Sequence, residues 1–319
     1  MTYLVPLERC EPHLACEVGG KALGLGRLLR EHLRVPAGFA VGARGFREFV
    51  DKAGLGDAIV KALSGADSLQ TRAEASRRLR ALFDGHELQP ALRDELERAY
   101  DKLEELPVAV RSSAVSEDAA ETSFAGVHQT LLWVQGVDAV ASALVRCWAS
   151  LFTPEALAYC HHVGVGPEEA AMGVIVQTMV PAESAGVMLT LDPATGDRSQ
   201  ITIEASFGLG ETVVGGVVTP DRYAVDKVTL EIRSRTIAAK HVASRFNPNR
   251  GGVRLVEVPA DEQQLPSLTD EEAVAIAALG KRVERATGAP QDIEWAIAPD
   301  GDVYLLQTRP ETAWSRTLD

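Results

Sequence analysis

The chain has 319 residues, more than one average domain, so two lobes are the first expectation. Apolar residues make up 46% of the sequence and charged residues 24%, the balance of a globular protein that buries a core. The formal net charge of −13 argues against nucleic acid as the main partner, because a phosphate backbone requires a basic surface.

The N-terminus carries acidic and polar residues where a signal peptide needs a basic start and an apolar core. No stretch approaches the roughly 18 uninterrupted apolar residues that a membrane span requires. The four cysteines are Cys10, Cys16, Cys147 and Cys160, and they include no C-x-x-C pair. They indicate buried thiols in a reducing compartment, with a disulfide as the unsupported alternative. These features predict a cytoplasmic protein with no membrane partner.

A glycine-rich segment, GGKALGLGRLL at residues 19–29, predicts a turn that opens a helix. That geometry suits an anion near the helix N-terminus, with Lys21 as a point charge. The chain has no P-loop motif, and Gly24 and Gly26 lack the third glycine of a dinucleotide fingerprint. A glycine turn with a solvated lysine remains the alternative.

Helical periodicity dominates the first third of the chain and predicts two long helices, one ending before Pro107 and one starting near residue 136. The first carries Leu88, Leu92, Leu96, Tyr100 and Leu103 on one face, and the second carries Val137, Val140, Leu144, Trp148 and Leu151. After Ala171 the pattern changes to short β-rich segments separated by Pro, Gly and Asp. We therefore expect a helix-rich lobe over residues 1–175 and a sheet-rich lobe over residues 176–319.

The segment PVAVRSSAVSEDAAETSFAGVHQTLL, residues 107–132, begins as a buried strand and continues as a long run of small, hydroxylated and acidic residues. Arg111, at the end of the strand, can bind phosphate oxygens with two N–H groups. Small side chains and backbone amides that can fold over a polyanion come from Ser112, Ser113, Gly126 and Thr130. The alternative is an ordinary surface loop in which Arg111 pairs with Glu117 or Asp118.

Three segments of the second half also have distinct patterns. Residues 206–223 contain four glycines around Glu211, which indicates close backbone approach, with a tight turn as the alternative. Residues 235–267 are expected to form a loose hairpin or a linker. A further long helix is predicted over roughly Thr269 to Thr287.

A C-terminal hairpin is predicted from two alternating strands, QDIEWAI and DVYLLQT, joined by the turn APDG. Alternation places Asp292 and Glu294 on one face of the first strand, and Gln307 and Arg309 on one face of the second. If the strands pair, two carboxylates and an amide oxygen converge, which are hard ligands suited to Mg²⁺. The alternative is a solvated face with an Asp–Arg ion pair.

Seven motifs of this chain stand in the same order as in the ATP-binding module of phosphoenolpyruvate synthases, which the chain closely resembles. They are VGGKALGLGRL, VPAGFAVGARGFREFV, VAVRSSAVSEDAAETSFAGVHQTLL, VIVQTMVPAESAGVM, SFGLGETVVGGVVTPD, QDIEWAI and LLQTRPET. Pyruvate phosphate dikinases, rifampin phosphotransferases and two-subunit aryl-phosphate synthases share this module. The resemblance covers nearly the whole chain. It implies an α+β, two-lobed, ATP-grasp-like fold that holds the nucleotide between its lobes.

The resemblance also implies roles at the positions that would bind ATP. Lys21 and Arg111 are expected to contact phosphates, and the loop with Gly126 and Thr130 is expected to close over them as a lid within residues 107–132. The hinge that reads adenine and ribose is expected at Gln177, Met179, Val180 and Glu183.

For the hairpin of residues 290–310 the resemblance implies a metal site. Glu294 and Gln307 are expected to bind Mg²⁺, with Asp292 nearby. Arg309 is expected to stabilise charge on the transferring phosphoryl group, with Arg111 and Lys21 as the other catalytic cations.

In the families named above, ATP gives its β-phosphoryl group to a histidine on a separate swivelling domain, which then phosphorylates the acceptor and leaves AMP and phosphate as products. None of the seven histidines lies in the GG-x-x-SHA-type motif of that domain. We therefore expect an ATP- and Mg²⁺-dependent subunit that requires a phosphohistidine partner on a separate chain. Such a split system resembles the aryl-phosphate synthases, so a phenol or cresol is the expected acceptor. The alternative is a domain excised from a phosphoenolpyruvate synthase or rifampin phosphotransferase.

Two other functions differ in class from this one. A nucleotide sensor would bind ATP without transfer, and loss of a metal ligand or of the catalytic arginine would have favoured it; neither is lost. A direct small-molecule kinase would yield ADP rather than AMP, so the product separates it from the histidine-dependent reaction.

Overall fold

The computed structural model describes residues 2–64, 66, 68–114, 129–163, 172–247, 249 and 251–314. By its internal contacts the chain divides into two compact units. The first comprises Met1–Gly26 and Ala37–Met179, and the second comprises Arg27–Pro36 and Val180–Asp319. Both units combine helices with an antiparallel sheet, so the predicted α+β class is confirmed.

The first unit contains a five-stranded sheet in the order β1-β2-β5-β3-β4, with every neighbouring pair antiparallel. Its strands are β1 (Leu4–Pro6), β2 (Gly38–Val41), β3 (Val108–Ala114), β4 (Thr130–Val134) and β5 (Met172–Thr178). Its helices are α2 (Ala43–Lys52), α3 (Gly56–Leu63), α4 (Leu69–Phe83), α5 (Pro90–Asp101), α6 (Val137–Ala149) and α7 (Pro154–Val163). Helix α1 (Ala15–Arg30) starts in this unit and ends in the second.

One face of the five-stranded sheet forms the core of the first unit. On β3 the alternate residues Val108 and Val110 are fully buried, as are Val174 and Val176 on β5. The helices cover this face, and their aromatic side chains pack together: Phe46, Phe49, Phe83, Trp148 and Phe152. Since side chains alternate along a strand, Arg111 of β3 must point to the opposite face.

The two long helices predicted in the first third of the chain are confirmed. Three of the predicted apolar residues of each helix are almost completely buried: Leu92, Leu96 and Tyr100 in α5, and Val140, Leu144 and Trp148 in α6. The hydroxyl of Tyr100 donates to the carbonyls of Glu105 and Leu106, which holds the chain where it turns toward β3.

The cysteines depart in part from the prediction of buried thiols. Cys10 and Cys147 are buried, whereas Cys16 is exposed, and none of these three described cysteines forms a disulfide. Cys16 lies two residues before the buried Val18 in α1, and residues two apart on a helix point to nearly opposite sides. The side chain of Cys160 lies outside the described part.

The second unit is built on a six-stranded antiparallel sheet in the order β13-β12-β6-β7-β8-β9. The strands are β6 (Ser184–Leu189), β7 (Gln200–Phe207), β8 (Asp221–Asp226), β9 (Ile232–Thr236), β12 (Gln291–Ile297) and β13 (Val303–Pro310). The helices are α8 (Glu211–Val214) and α9 (Asp270–Thr287). A separate antiparallel pair, β10 (Val242–Phe246) and β11 (Val253–Glu257), confirms the hairpin expected within residues 235–267.

The long helix predicted near residue 269 is confirmed with its sequence signals. Thr269 caps the N-terminus of α9 in a capping box with Glu272, and Gly288 ends it in a left-handed conformation. The helix covers one face of the six-stranded sheet, where Met188, Ile203 and Trp295 are fully buried. The opposite face therefore carries Asp292 and Glu294.

The glycine-rich segment after β7 does bring backbones into close approach. A Cβ atom on Gly208 would lie 2.3 Å from the carbonyl oxygen of Ser244, and the φ angle of Gly208 is 75°. Glu211 begins α8, and its carboxylate accepts a hydrogen bond from the hydroxyl of Ser244. In the part of the chain that the model describes, no helix has the length and apolarity needed to cross a membrane.

Candidate functional site

The outer face of the five-stranded sheet gathers three of the residues predicted to bind ATP. Arg111 on β3 lies directly opposite Thr130 on β4, and Ala109 lies directly opposite Gln177 on β5. Directly opposite residues project to the same face of a sheet, so Arg111, Thr130 and Gln177 share the face opposite the aromatic core, and the start of α1 packs against part of this face. Thr130 is exposed, whereas Gln177 is 2% exposed.

Lys21 is held next to the strand that carries Arg111. Its Nζ atom donates a hydrogen bond to the carbonyl oxygen of Ser112, at 3.1 Å. Helix α1 is interrupted at Gly19, whose φ of 77° is not helical, so a new helical run starts at Gly20, just before Lys21. The predicted turn at the glycine-rich segment is therefore present, and the first unit places two cationic side chains at β3.

The predicted hinge follows β5. The amide of Met179 donates to the carbonyl of Pro107 at 2.8 Å, so the chain stays paired beyond the end of β5. In the second unit, Val180 is buried and its carbonyl accepts from the amide of Ala182. Glu183 is exposed, and its amide donates to Ile297 at the far end of β12. The roles of these residues in binding adenine and ribose stay predictions.

The predicted C-terminal hairpin is confirmed, and its register is the one that brings the four polar side chains together. Asp292 of β12 lies opposite Arg309 of β13, and Glu294 lies opposite Gln307. Beyond this pair the register shifts, and Trp295 faces Leu305, so Leu306 is an extra residue in β13. Such bulges bend a strand locally and frequently lie next to active sites.

An ion pair joins two members of this group. Both Nε and Nη2 of Arg309 donate to Oδ2 of Asp292, at 2.9 and 2.8 Å. The ion pair that the sequence left open as an alternative is therefore formed. It is compatible with a phosphate site, because it fixes the guanidinium on the same face as Glu294 and Gln307.

Burial changes the electrostatics of the hairpin. Burial is the largest single cause that raises the pKa of Asp292 above the ordinary aspartate value, while the charge and hydrogen bonds of the Arg309 guanidinium lower it. The neighbouring carboxylates of Glu294 and Glu311 raise the pKa of Asp292 further. A bound cation would oppose the effects that raise this pKa, since a nearby positive charge favours the ionised carboxylate.

The side chains of the hairpin could bind Mg²⁺ only if a bound molecule such as ATP supplied further oxygen atoms. Among the described residues, no three His, Cys, Asp or Glu side chains form a group that could hold a metal ion. The hairpin offers two carboxylates and the amide of Gln307, which is 7% exposed. Mg²⁺ is commonly bound by one or two carboxylates plus substrate phosphates, so such a site would be completed by ATP.

A further carboxylate on this face, that of Glu204, was not predicted from the sequence. The register runs from Glu294 to Val187 on β6 and on to Glu204 on β7, so Glu204 lies two strands away and points to the same side. It is half-buried. As the one charged residue in QITIEASF, Glu204 could have been noticed from the sequence, but the strand order that aligns it with Glu294 could not.

The predicted lid is described only at its two ends. Residues 108–114 and 130–132 belong to strands β3 and β4, which pair with each other. Thr130 is thus a strand residue opposite Arg111. Gly126 lies outside the described residues, and the lid stays a prediction.

Comparison with known families decides the classification. Residues 15–319 match the model of the pyruvate phosphate dikinase AMP/ATP-binding domain. The chain belongs to this family. A probable phosphoenolpyruvate synthase of Staphylothermus marinus is 39% identical over 333 residues, covering 93% of this chain and 40% of the relative. One of Archaeoglobus fulgidus is 41% identical, covering 92% of this chain and 40% of the relative. The predicted family is therefore confirmed, and this pyruvate phosphate dikinase-type domain spans about two fifths of the length of these relatives.

Similarity to solved structures is weaker. An N5-carboxyaminoimidazole ribonucleotide synthetase in its ADP complex has a TM-score of 0.31 and 12% identity, covering 69% of this chain and 38% of that one. The D-alanyl-alanine synthetase A of Vibrio cholerae has a TM-score of 0.29 and 14% identity, covering 70% of this chain and 46% of that one. At these scores the likeness carries no argument about the dikinase-type domain.

Proposed function

We propose that this chain is the ATP-binding part of a dikinase-type phosphotransferase. ATP and water would react with a histidine of a partner domain to give phosphohistidine, AMP and phosphate, with the β-phosphoryl group as the one that stays on the histidine. The observation that carries the proposal is the hairpin register, which sets Glu294 against Gln307 and Asp292 against Arg309. Because the family is one of AMP/ATP-binding domains, we infer that the ligand of this polar face is ATP.

In this proposal the first unit supplies cations that bind phosphate, and the second unit supplies oxygen ligands that bind the metal ion. In the first unit, Lys21 and Arg111 are cations tied to β3 and would bind phosphate oxygens. In the second, Glu294 and Gln307 would hold Mg²⁺, which when bound neutralises charge on the phosphates.

Arg309 would act directly in transfer. Its guanidinium can leave or share the carboxylate of Asp292 and bind the oxygens of the transferring phosphoryl group as negative charge develops there. The Asp292–Arg309 pair would keep the guanidinium oriented before the nucleotide arrives. Oriented groups stabilise a transition state without paying for reorganisation during the reaction.

The adenosine end would be bound by the hinge. Gln177, Met179 and Val180 would contact adenine, and Glu183 would meet the ribose. Glu183 directly precedes β6, in which Val187 lies opposite Glu294, so four residues, or about 13 Å of strand, separate the ribose position from the metal position. This separation supports a nucleotide that extends along the strand direction.

The acceptor beyond the histidine has two candidates. A phenol or cresol follows from the split arrangement of the aryl-phosphate synthases, but the curated relatives reported above give it no support. The names of these relatives, probable phosphoenolpyruvate synthases, favour pyruvate as the second candidate. Both candidates need a phosphohistidine, which we propose lies on a separate domain or on a partner chain.

The test follows each phosphate of ATP separately. The chain is incubated with Mg²⁺, a phosphohistidine domain from the same genome, and ATP labelled at either the β- or the γ-phosphate. We expect the β-label on the partner histidine, the γ-label in inorganic phosphate, and AMP as the nucleotide product. Phenol and pyruvate are then added in parallel, and the acceptor is the one that removes the label from the histidine.

Two results would contradict the proposal. ADP with the γ-label on an acceptor, formed without the partner, would indicate a direct small-molecule kinase. Tight ATP binding with no transfer of either label to any phosphohistidine domain of that genome would indicate a nucleotide sensor.

A further inference from the structure

The helical run that carries Lys21 starts without a cap of its own. An N-cap side chain normally accepts a hydrogen bond from the amide two or three residues later. Here the N-cap position is Gly19, which has no side chain, and its φ of 77° separates it from the helix that starts at Gly20. The amide that such a cap would satisfy is that of Ala22.

A serine 91 residues away supplies the missing acceptor. The amide of Ala22 donates to the Oγ atom of Ser113 on β3, at 3.3 Å, and both residues are fully buried. Because the cap comes from another element, it fixes the start of the helix to β3 as well as satisfying the amide.

Two glycines allow the helix start to lie this close to the sheet. A Cβ atom on Gly19 would be 2.2 Å from the carbonyl oxygen of Ser113. Gly173 of β5, the register partner of Ser113, is equally constrained, because a Cβ there would lie 2.6 Å from the carbonyl oxygen of Val18. Both contacts are far shorter than any real Cβ makes, so the residues before Lys21 rest directly on the Ser113–Gly173 pair.

Ser113 also shares a strand face with Arg111. The two residues are two positions apart on β3, so their Cα atoms are about 7 Å apart and their side chains project to the same side. Lys21 lies in the helical turn that Ser113 caps, and its Nζ bonds the carbonyl of the residue between them, Ser112. The position of Lys21 relative to Arg111 is therefore set through β3.

We propose that Ser113 is a positioning residue for phosphate binding. Its hydroxyl caps the helix that starts at Gly20 and thereby holds Lys21 at a fixed place beside Arg111. The proposal rests on the proposed function, since it requires that both cations bind ATP phosphates. The hydroxyl of Ser113 is buried and bonds the amide of Ala22, so it acts on the nucleotide through the helix that it caps.

A double-mutant cycle on the full chain tests whether Ser113 acts through Lys21. Mg²⁺-ATP affinity is measured by calorimetry for the wild type, Ser113→Ala, Lys21→Ala and the double variant. We expect Ser113→Ala to weaken binding by about three- to tenfold, the size of a lost cap or hydrogen bond. In the Lys21→Ala background the same change should cost nothing further, because the side chain being positioned is absent.

Ser150→Ala is the matched control. Ser150 lies in the same unit, is 3% exposed, and its hydroxyl donates to the carbonyl of Cys147 at 2.6 Å. Its loss removes the same kind of buried group from a place with no predicted nucleotide contact. We expect a comparable drop in the melting temperature and an unchanged ATP affinity.

The outcomes distinguish failure of the positioning role of Ser113 from failure of the proposed function. Wild-type ATP affinity in Ser113→Ala, or an equal loss with and without Lys21, would overturn the positioning role alone. A wild-type chain that does not bind Mg²⁺-ATP would overturn the proposed function and this inference with it. If Ser113→Ala does not fold, Ser113→Cys replaces it, because cysteine has a similar size but is a weaker hydrogen-bond acceptor. The losses of ATP affinity in Ser113→Cys and Lys21→Ala should again be less than additive in the double variant.

Discussion

At the scale of single residues, Arg309 is the side chain whose role is most open to test. It is 47% exposed and bonds one oxygen of Asp292, a residue whose pKa is raised by burial. A guanidinium that served only to neutralise Asp292 would matter for stability. One that contacts the transferring phosphoryl group would matter for rate and hardly for stability. The two roles therefore predict different measurements.

We expect Arg309→Ala to abolish phosphoryl transfer while ATP affinity changes by less than about threefold, because the interaction is made mainly in the transition state. The measurement is β-label transfer to the partner histidine, together with binding of ATP to the same preparation. Arg233→Ala is a matched control, since Arg233 is also a strand residue of the second unit and pairs with a carboxylate, that of Asp226. Equal transfer rates in the Arg309→Ala and Arg233→Ala variants would show that Arg309 has no role in transfer.

At the scale of elements, both sheets have the same organisation. Each packs an apolar face against helices and presents predicted site residues on the other, although in the first unit the start of α1 also packs on that other face. The site residues are Arg111, Thr130 and Gln177 in the first unit, and Asp292, Glu294, Gln307 and Arg309 in the second. Alternation within a strand is a local property of sequence, so these faces could be predicted for β3, β12 and β13 before any pairing was known.

What the sequence could not provide were contacts set by strand order and by packing between distant segments. The bulge at Leu306 depends on how β13 pairs with β12. The alignment of Glu204 with Glu294 depends on β6 lying between their strands. The Ser113–Ala22 hydrogen bond joins residues 91 positions apart, and no periodicity within either segment encodes it. The sequence thus predicted which faces are polar, but not how the faces are held together.

A buried ion pair between Asp221 of β8 and Lys240 holds the segment after β9 against the six-stranded sheet. The carboxylate of Asp221, fully buried, accepts from Nζ of Lys240 at 2.6 Å, from the amide of Ala238 at 2.9 Å, and from the amide and hydroxyl of Ser267 at 2.7 Å each. Lys240 is also fully buried. The ammonium group of Lys240 also donates to the carbonyl of Ala238 and lies over the ring of Phe207, but Asp221 is the only carboxylate that the described residues pair with it.

We expect Asp221→Asn to lower the free energy of unfolding by about 3–5 kcal/mol, since it leaves a buried charge unpaired. Chemical denaturation of the full chain gives the measurement. Arg235→Gln serves as the control, because Arg235 pairs with Asp270 at an exposed site and should change stability by less than about 1 kcal/mol. Adding Lys240→Met to Asp221→Asn should recover part of the lost free energy of unfolding, because it removes the unpaired charge. If nothing is recovered, the loss comes from the hydrogen bonds of Asp221 to the amides and the Ser267 hydroxyl, and not from the charge.

At the scale of the whole molecule, ligand binding and unfolding are linked. A ligand that binds only the native chain at about one hundred times its dissociation constant adds about 2.7 kcal/mol to the free energy of unfolding. The proposed site makes this gain depend on Mg²⁺, because Glu294 and Gln307 would bind the nucleotide through the metal. The chain also carries a net charge of −13, which repels free ATP more than the less negative Mg²⁺ complex.

We therefore expect ATP with Mg²⁺ to raise the melting temperature by several degrees, and ATP with a chelator to raise it far less. Glu294→Gln removes one charge from the proposed metal site at nearly constant volume and should abolish most of the Mg²⁺-dependent part of the shift. Glu257→Gln removes the same charge from an exposed position on β11 and should leave the shift intact. The same Mg²⁺ dependence in both variants would argue against metal binding at the hairpin, because a change in net charge alone is common to the two substitutions.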